Sequence, residues 1–428
     1  MTAELDVRPA RSPRPSAPAP DGPLPRALGI AARILLRRAA ARTGVALSNR
    51  GDPAPAGPAI RLVRPGAAGR RIGTARLIGF GEAYVAGDWD STDLAGALTA
   101  LATRMPDLVP RWIQALRPLA AIARPRTEIG APQHTRANVS HHYDLSNALF
   151  ARFLDETLTY SSALFSPVEI PDGAPGLTRA PDATGATWEA LSDAQRAKVD
   201  RLLDAADVGP GSRVLEVGTG WGELCLRAAR RGATVRSVTL STEQQGLARR
   251  RIAEAGLTDR ARVDLLDYRA VDGEYDAIIS VEMIEAVGAA HWDEYFAVLA
   301  RLLAPRGRIA LQAITMPHER MLATLHTYTW IQKYVFPGGM LPSTEAIAAA
   351  AARAGLAIRS RHRFGPHYAE TLRLWRERFL ADPHTLPAPA DTPSFQRLWE
   401  FYLAYSEAGF RSGYIDVQQM VLTEGAAR

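Results

Sequence analysis

A chain of 428 residues with 47% hydrophobic content is long enough for a large core and for two domains. Its single cysteine, Cys225, excludes an internal disulfide framework and a cysteine-built zinc site, and suits a reducing cytoplasm. The formal charge is +6, yet residues 1 to 130 hold 19 Arg or Lys against 10 Asp or Glu, so the surplus lies on the N-terminal side and suits an anionic partner. The alternative source of the arginine excess is a GC-rich genome, since only Lys198 and Lys333 are lysines. The basic segment has neither interleaved aromatics nor a reader motif, which argues against nucleic acid and leaves a phospholipid surface.

Residues 1 to 25 are Pro, Ala and Arg with almost no large apolar side chains, the composition of an unstructured tail. Residues 26 to 125 read as a smaller accessory domain: a basic helix, the stretches "AIRLVRP" and "RRIGTARLIGFGEAYVAGDWDS", then a helix over "LAGALTALATRM". In the basic helix Arg33 breaks the apolar run and no cleavage pattern follows, so no signal peptide is expected. No run reaches the roughly 18 apolar residues of a spanning helix, and membrane contact is expected to be peripheral, from the cytoplasm at the inner face. Residues 126 to 140 read as a linker, with the catalytic domain over 141 to 428. The pair His141 and His142 is no metal site, because adjacent side chains point apart on regular structure and no carboxylates accompany them.

From residue 213 strands and helices alternate. "RVLEV" reads as a buried strand, "WGELCLRAARRG" as a helix, "TVRSVTL" as a strand, and "TEQQGLARRRIAEAG" as a helix ended by Gly256. "ARVDLL" and "YDAIISV" are further strands, followed by a helix over "WDEYFAVLARLLAP" and the strand "RIALQAI". This predicts an α/β fold, a Rossmann-like doubly wound sheet with helical additions.

Gly218, Gly220 and Gly222 stand between the first strand and its helix, where glycines permit a tight turn and close ligand approach. Glu216 ends that strand and would repel a pyrophosphate. A dinucleotide enzyme also needs an acid about 20 residues beyond the first glycine, and here Thr239, Leu240 and Gln244 occupy the place. A hydroxyl and an amide can bond ribose without charge, so the turn suits S-adenosyl-L-methionine, which carries an amine and a sulfonium and no phosphate.

The blocks "HHYDLSNALFARFLDETLTYSSALF", "VLEVGTGWGELC", "SVTLSTEQQ", "VEMIEAVG", "WIQKYVFPGGMLPS" and "LAYSEAGFRSGYIDV" follow one another in order. Through them the chain from about residue 135 to 423 resembles the cyclopropane-fatty-acid synthase family of S-adenosylmethionine-dependent lipid methyltransferases, a class I methyltransferase fold. Within it, "EMIEAVG" and "QAITMPH" resemble the actinobacterial branch that methylenates oleoyl phospholipids on the way to tuberculostearic acid. The resemblance implies cofactor contacts from Tyr160, Ser161, Gly218, Thr239 and Gln244. An adenine-side pair falls on Tyr268 and Arg269, with Asp267 as a substitute for an expected carboxylate. It further implies a carbonate or bicarbonate ion as proton acceptor, held by Glu285, the backbone of Ile314, Tyr368, and two positions where the family's Cys and His are here Ser162 and Gln312.

An isolated alkene must be held against the sulfonium methyl in a dry pocket, and methyl transfer leaves a carbocation. Tyr328, Trp330, Tyr334 and Phe336 could stabilise that cation or simply pack an acyl chain. Proton loss from the new methyl closes a cyclopropane ring, whereas a prior hydride shift gives a methylene branch. Three readings follow: a 10-methylene-forming methyltransferase, a cyclopropane synthase on the same lipids, and a non-catalytic lipid- or cofactor-binding protein. The first implies a separate reductase for any methyl-branched product. A homo-oligomer is compatible with each.

Overall fold

The computed structural model describes residues 18–53, 55–105, 147–325 and 327–425. The expected linker at 126–140, His141, His142 and residues 1–17 of the expected tail lie outside the described residues.

The N-terminal portion contains α1 (Pro23–Thr43), β1 (Ala46–Asn49), β2 (Ala59–Leu62), α2 (Pro65–Val85), β3 (Trp89–Asp90) and α3 (Leu94–Thr103). The first turn of α1 falls inside the stretch expected to be unstructured, because prolines at the start of a helix have no amide hydrogen to lose and already carry its φ. The strands form a small sheet in the order β1-β2-β3. Helix α1 crosses α2 so closely that a Cβ on Gly69 would lie 2.7 Å from the carbonyl oxygen of Gly29.

The C-terminal portion adds α4 (Asn147–Phe153), β4 (Ile170–Pro171), β5 (Leu177–Arg179), α5 (Trp188–Ala205), β6 (Arg213–Val217), α6 (Glu223–Arg230), β7 (Thr234–Thr239), α7 (Thr242–Glu254), β8 (Ala261–Leu265) and β9 (Tyr275–Val281). It continues through α8 (Ile284–Val287), α9 (Trp292–Leu302), β10 (Leu303–Thr315), α10 (His318–Thr324), α11 (Trp330–Tyr334), α12 (Thr344–Arg353), β11 (Leu356–Arg363), α13 (Gly365–Ala381), α14 (Pro393–Arg411) and β12 (Asp416–Glu424). The nine-stranded sheet runs β4-β5-β11-β12-β10-β9-β6-β7-β8. Its centre is parallel, with β10 on β9, β9 on β6, β6 on β7 and β7 on β8, while β12 enters antiparallel between β10 and β11. This is the expected doubly wound sheet. The order reverses beside β6, and ligands of such sheets bind in the crevice beyond the strand ends at that point. Strand β10 starts at Leu303, inside the stretch read as helix, because Leu303 already pairs with Tyr275 of β9.

The two portions share one hydrophobic core. Trp89 and Tyr84 pack on Phe401, and Trp330 packs on Phe401 at 4.8 Å. The Tyr84 hydroxyl donates to Glu400 at 2.7 Å, and Glu82 accepts from both Lys333 and the Tyr334 hydroxyl at 2.6 Å. Trp330 and Tyr334, two of the four aromatics read as stabilising a cation or packing an acyl chain, are therefore engaged at this seam.

Candidate active site

The cofactor side is built at the ends of β6 and β7. Gly218 has φ 95°, a conformation that L side chains rarely adopt, and a Cβ there would come within 2.6 Å of Met283 Cγ. A Cβ built on Gly220 meets nothing within 4 Å, so the turn is open on that side. Glu216 is buried and accepts one hydrogen bond, from the Ser237 hydroxyl at 2.5 Å. Burial pushes its carboxyl up to about 8, against the smaller opposing effects of Ser237 and of the Lys198 charge. A buried carboxylate with one hydroxyl donor is undersupplied with positive charge, and an ammonium or sulfonium ligand fits that need. Thr239 donates to Gln244 Oε1 at 2.9 Å and both are buried, with half-buried Leu240 next along the chain.

The residues expected on the adenine side, Asp267, Tyr268 and Arg269, lie together just beyond β8. Asp267 is held by Arg269 at 2.6 Å; burial raises its carboxyl, but the Arg269 bonds outweigh this and hold it below its ordinary range. Its acceptor capacity is largely spent on Arg269, whereas the Tyr268 ring stands edge-on to Tyr295 at 5.5 Å. Cys225 is a buried free thiol on α6.

Tyr160 and Ser161 lie on the segment between α4 and β4. The Tyr160 ring packs among Phe150, Phe153 and Trp375, and its hydroxyl meets that of Tyr402 at 2.7 Å. Phe336 packs on the same Tyr402 at 5.9 Å. The Ser161 hydroxyl accepts from Lys198 Nζ at 2.6 Å. Lys198 is buried, which lowers its ammonium to about 8 although the charges of Glu282 and Asp155 oppose the shift.

The residues expected around the proton acceptor do not all meet where expected. Ser162, Gln312 and Tyr368 converge on Glu282, which the sequence reading passed over. Glu282 Oε1 accepts from the Ser162 backbone N–H at 3.2 Å and from Gln312 Nε2 at 2.8 Å, and Oε2 accepts from the Tyr368 hydroxyl at 2.8 Å. The Ser162 hydroxyl instead donates to the Ala163 carbonyl at 3.0 Å, so this residue reaches Glu282 through its backbone. Burial raises Glu282 above its ordinary value, and Gln312, Lys198, Tyr368 and Ser162 pull it back. Burial raises the Tyr368 phenol, which stays protonated and able to donate.

Glu285 stands one turn on, at the start of α8. Its Oε1 accepts from the Ile314 N–H at 2.5 Å, so the Ile314 backbone meets Glu285 through its amide. Its Oε2 is buried with no hydrogen-bond partner among the described residues. Burial first, then the charge of Glu282, push it up to about 8, which leaves it protonated at neutral pH. Two clues to this arrangement were in the sequence: an acid directly beyond a strand end, in "SVEM", and a lysine in a chain that otherwise uses arginine.

Comparison with known proteins gives a consistent picture. The mycolic acid cyclopropane synthetase family model matches residues 131–420. Tuberculostearic acid methyltransferase UfaA1 of Mycobacterium tuberculosis is 53% identical over 409 residues, spanning 94% of this chain and 93% of its own. The cyclopropane-fatty-acyl-phospholipid synthase of Escherichia coli K12 is 35% identical over 287 residues, 66% of this chain and 67% of its own. Among solved structures, mycolic acid cyclopropane synthase CmaA1, complexed with SAH and CTAB, superposes with a TM-score of 0.56 at 30% identity, covering 70% of this chain and 98% of that one.

Proposed function

The chain belongs to the mycolic acid cyclopropane synthetase family, and from that premise we propose that this S-adenosylmethionine-dependent methyltransferase acts on the cis double bond of oleoyl chains in phospholipids and releases a 10-methylene acyl chain. The near full-length likeness to a tuberculostearic acid methyltransferase carries the reading. The geometry supports it. The glycine turn and Glu216 suit the cationic cofactor, with Thr239 and Gln244 beyond them. Phe336, Tyr402 and Tyr160 form an aromatic run toward the reacting end, where no water need enter. When bound, S-adenosylmethionine supplies an electrophilic methyl. The protein's part is to hold the alkene at attack distance, exclude water and receive a proton.

The lipid is met at a membrane surface. No helix among the described residues is long and apolar enough to cross a bilayer. Helix α1 nonetheless exposes Leu24, Leu28, Ile30, Ile34 and Leu35, together with Arg26, Arg37 and Arg38, and contains no acid. An apolar face flanked by arginines suits the interface of an anionic leaflet, at roughly 1 kcal/mol per basic residue near the surface. The N-terminal portion is in this reading the membrane-docking unit. A methyl-branched end product requires a hydride donor, so a separate reductase would consume the methylene lipid.

The test is incubation with S-adenosylmethionine and dioleoyl phospholipid, with S-adenosylhomocysteine and lipid both measured. After the acyl chains are released, a chain one CH2 heavier than oleate that ozone cleaves is the methylene product. An ozone-resistant product of the same mass increment would instead establish a cyclopropane synthase, and no S-adenosylhomocysteine at all would leave a non-catalytic binding protein.

A further inference from the structure

We propose that the proton acceptor is this chain's own Glu282, its carboxylate standing among the donors that the family resemblance assigns to a bound carbonate ion. The inference rests on the reaction read above.

The argument begins with hydrogen-bond direction. A guanidinium can only donate, so Arg201 Nη1, 2.7 Å from Gln419, requires the Gln419 oxygen on its side. Gln419 Nε2 then faces Gln312 Oε1 at 3.1 Å. That leaves Gln312 Nε2 directed at Glu282 Oε1. Each amide orientation is fixed by the one before it, and the chain ends on a group that must accept. Ser162 N–H and the Tyr368 hydroxyl donate to the same carboxylate. A separate carbonate ion finds these three donors already used, and it would sit as a second anion against Glu282 in a buried site. The residues present therefore do not fit the ion.

The backbone adds an independent observation. Glu282 has φ 53°, in the left-handed region that favours glycine, while its N–H still donates to the Gln312 carbonyl at 2.8 Å. A non-glycine side chain held in that conformation at a strand end marks a place where strain is maintained by its surroundings, as at active sites.

The chemistry balances without any added base. The alkene π pair forms the bond to the sulfonium methyl, and the sulfur–methyl pair passes to sulfur as S-adenosylhomocysteine leaves. A hydride moves with its pair from the methylated carbon to the neighbouring cation. A proton of the new methyl then passes to Glu282, and the released C–H pair closes the exocyclic double bond. An ionised carboxylate has about four acceptor places, and the three donors leave one on Oε2 for that proton.

Glu282→Gly tests this, because glycine suits the positive φ and opens room for a one-carbon carboxylate. In carbonate-free buffer its turnover on the oleoyl lipid should fall by about a hundredfold or more, with partial recovery on adding formate. Glu282→Gln should lose activity similarly without recovery. Calorimetric S-adenosylmethionine affinity close to that of the unsubstituted enzyme shows that both variants fold. Carbon-13 NMR with labelled bicarbonate should detect binding to the Glu282→Gly protein and none to the unsubstituted enzyme. Bicarbonate bound by the unsubstituted enzyme, or turnover of both variants in carbonate-free buffer close to that of the unsubstituted enzyme, overturns the inference. The NMR arm needs no turnover, so it decides the matter even if oleoyl lipid proves not to be the substrate.

Discussion

Adjacent strands β6 and β9 each bring a glutamate to the same end of the sheet, Glu216 buried and Glu282 half-buried, and the two are furnished differently. Glu216 has one hydroxyl donor, whereas Glu282 has an amide, a backbone N–H and a phenol. Both are raised by burial. The sparsely bonded one keeps its charge only when a cation arrives, and so suits recognition of the cofactor. The densely bonded one has its charge held by fixed donors, and so suits a group that must be anionic before the reaction and take a proton during it. The number of donors separates the two tasks.

The largest expected effect breaks the cofactor side alone. Gly218→Leu forces a side chain into φ 95° and against Met283, and should abolish S-adenosylmethionine binding by calorimetry. Binding near the unsubstituted affinity would move the cofactor elsewhere.

Glu216→Gln comes next. Loss of a charged partner for the cofactor should weaken affinity by about tenfold or more, corresponding to roughly 1.5–3 kcal/mol for an interaction with a charged group. The pH dependence sharpens the comparison. Glu216 lies near 8 in the free protein, so S-adenosylmethionine should bind more tightly as pH rises toward 8 and the carboxylate forms, and the substitution should flatten that rise. An unchanged pH profile would remove Glu216 from the cofactor's charge.

How much of this was legible follows from how each half is assembled. The cofactor side draws on Glu216 to Gln244, one strand–turn–helix–strand passage whose glycines and periodicity are local, and both the sheet and the turn could be read from it. The acceptor is assembled from Ser162, Lys198, Glu282, Gln312, Tyr368 and Gln419, and no local pattern joins them. Resemblance brought Ser162, Gln312 and Tyr368 together and set Glu285 beside them, with Ile314 on Glu285; it passed over Glu282, because a left-handed residue at a strand end leaves no trace in periodicity. That Ser162 meets Glu282 through its backbone N–H was equally illegible, since the turn of its hydroxyl toward Ala163 depends on backbone geometry.

Glu285→Gln should therefore do less than either substitution at Glu282. Glu285 is raised from 4.5 to about 8, so its contribution to stability is whole below pH 4.5 and is lost as pH rises through 8. Glutamine is neutral throughout and can still accept from Ile314. The melting temperature of the variant relative to the unsubstituted enzyme should rise between about pH 5 and about pH 9, while turnover falls by less than about tenfold, far short of the loss expected on removing a general base. A loss as large as that of Glu282→Gln would make Glu285 the acceptor.

The smallest effect is expected for Ser162→Cys. Were the side chain a ligand to the acceptor, a thiol would alter both the position and the charge of the base. In the structure the hydroxyl donates to Ala163, and the backbone N–H, which no side-chain substitution removes, serves Glu282. A thiol is the weaker donor, so the variant should lose up to about 1 kcal/mol of stability, the net worth of one ordinary hydrogen bond. Gas chromatography with mass spectrometry should find the ratio of methylene to cyclopropane product unchanged, and turnover within about twofold, since the acceptor keeps its three donors. A shifted product ratio would show that the Ser162 side chain, and not only its backbone, governs when the cation gives up its proton.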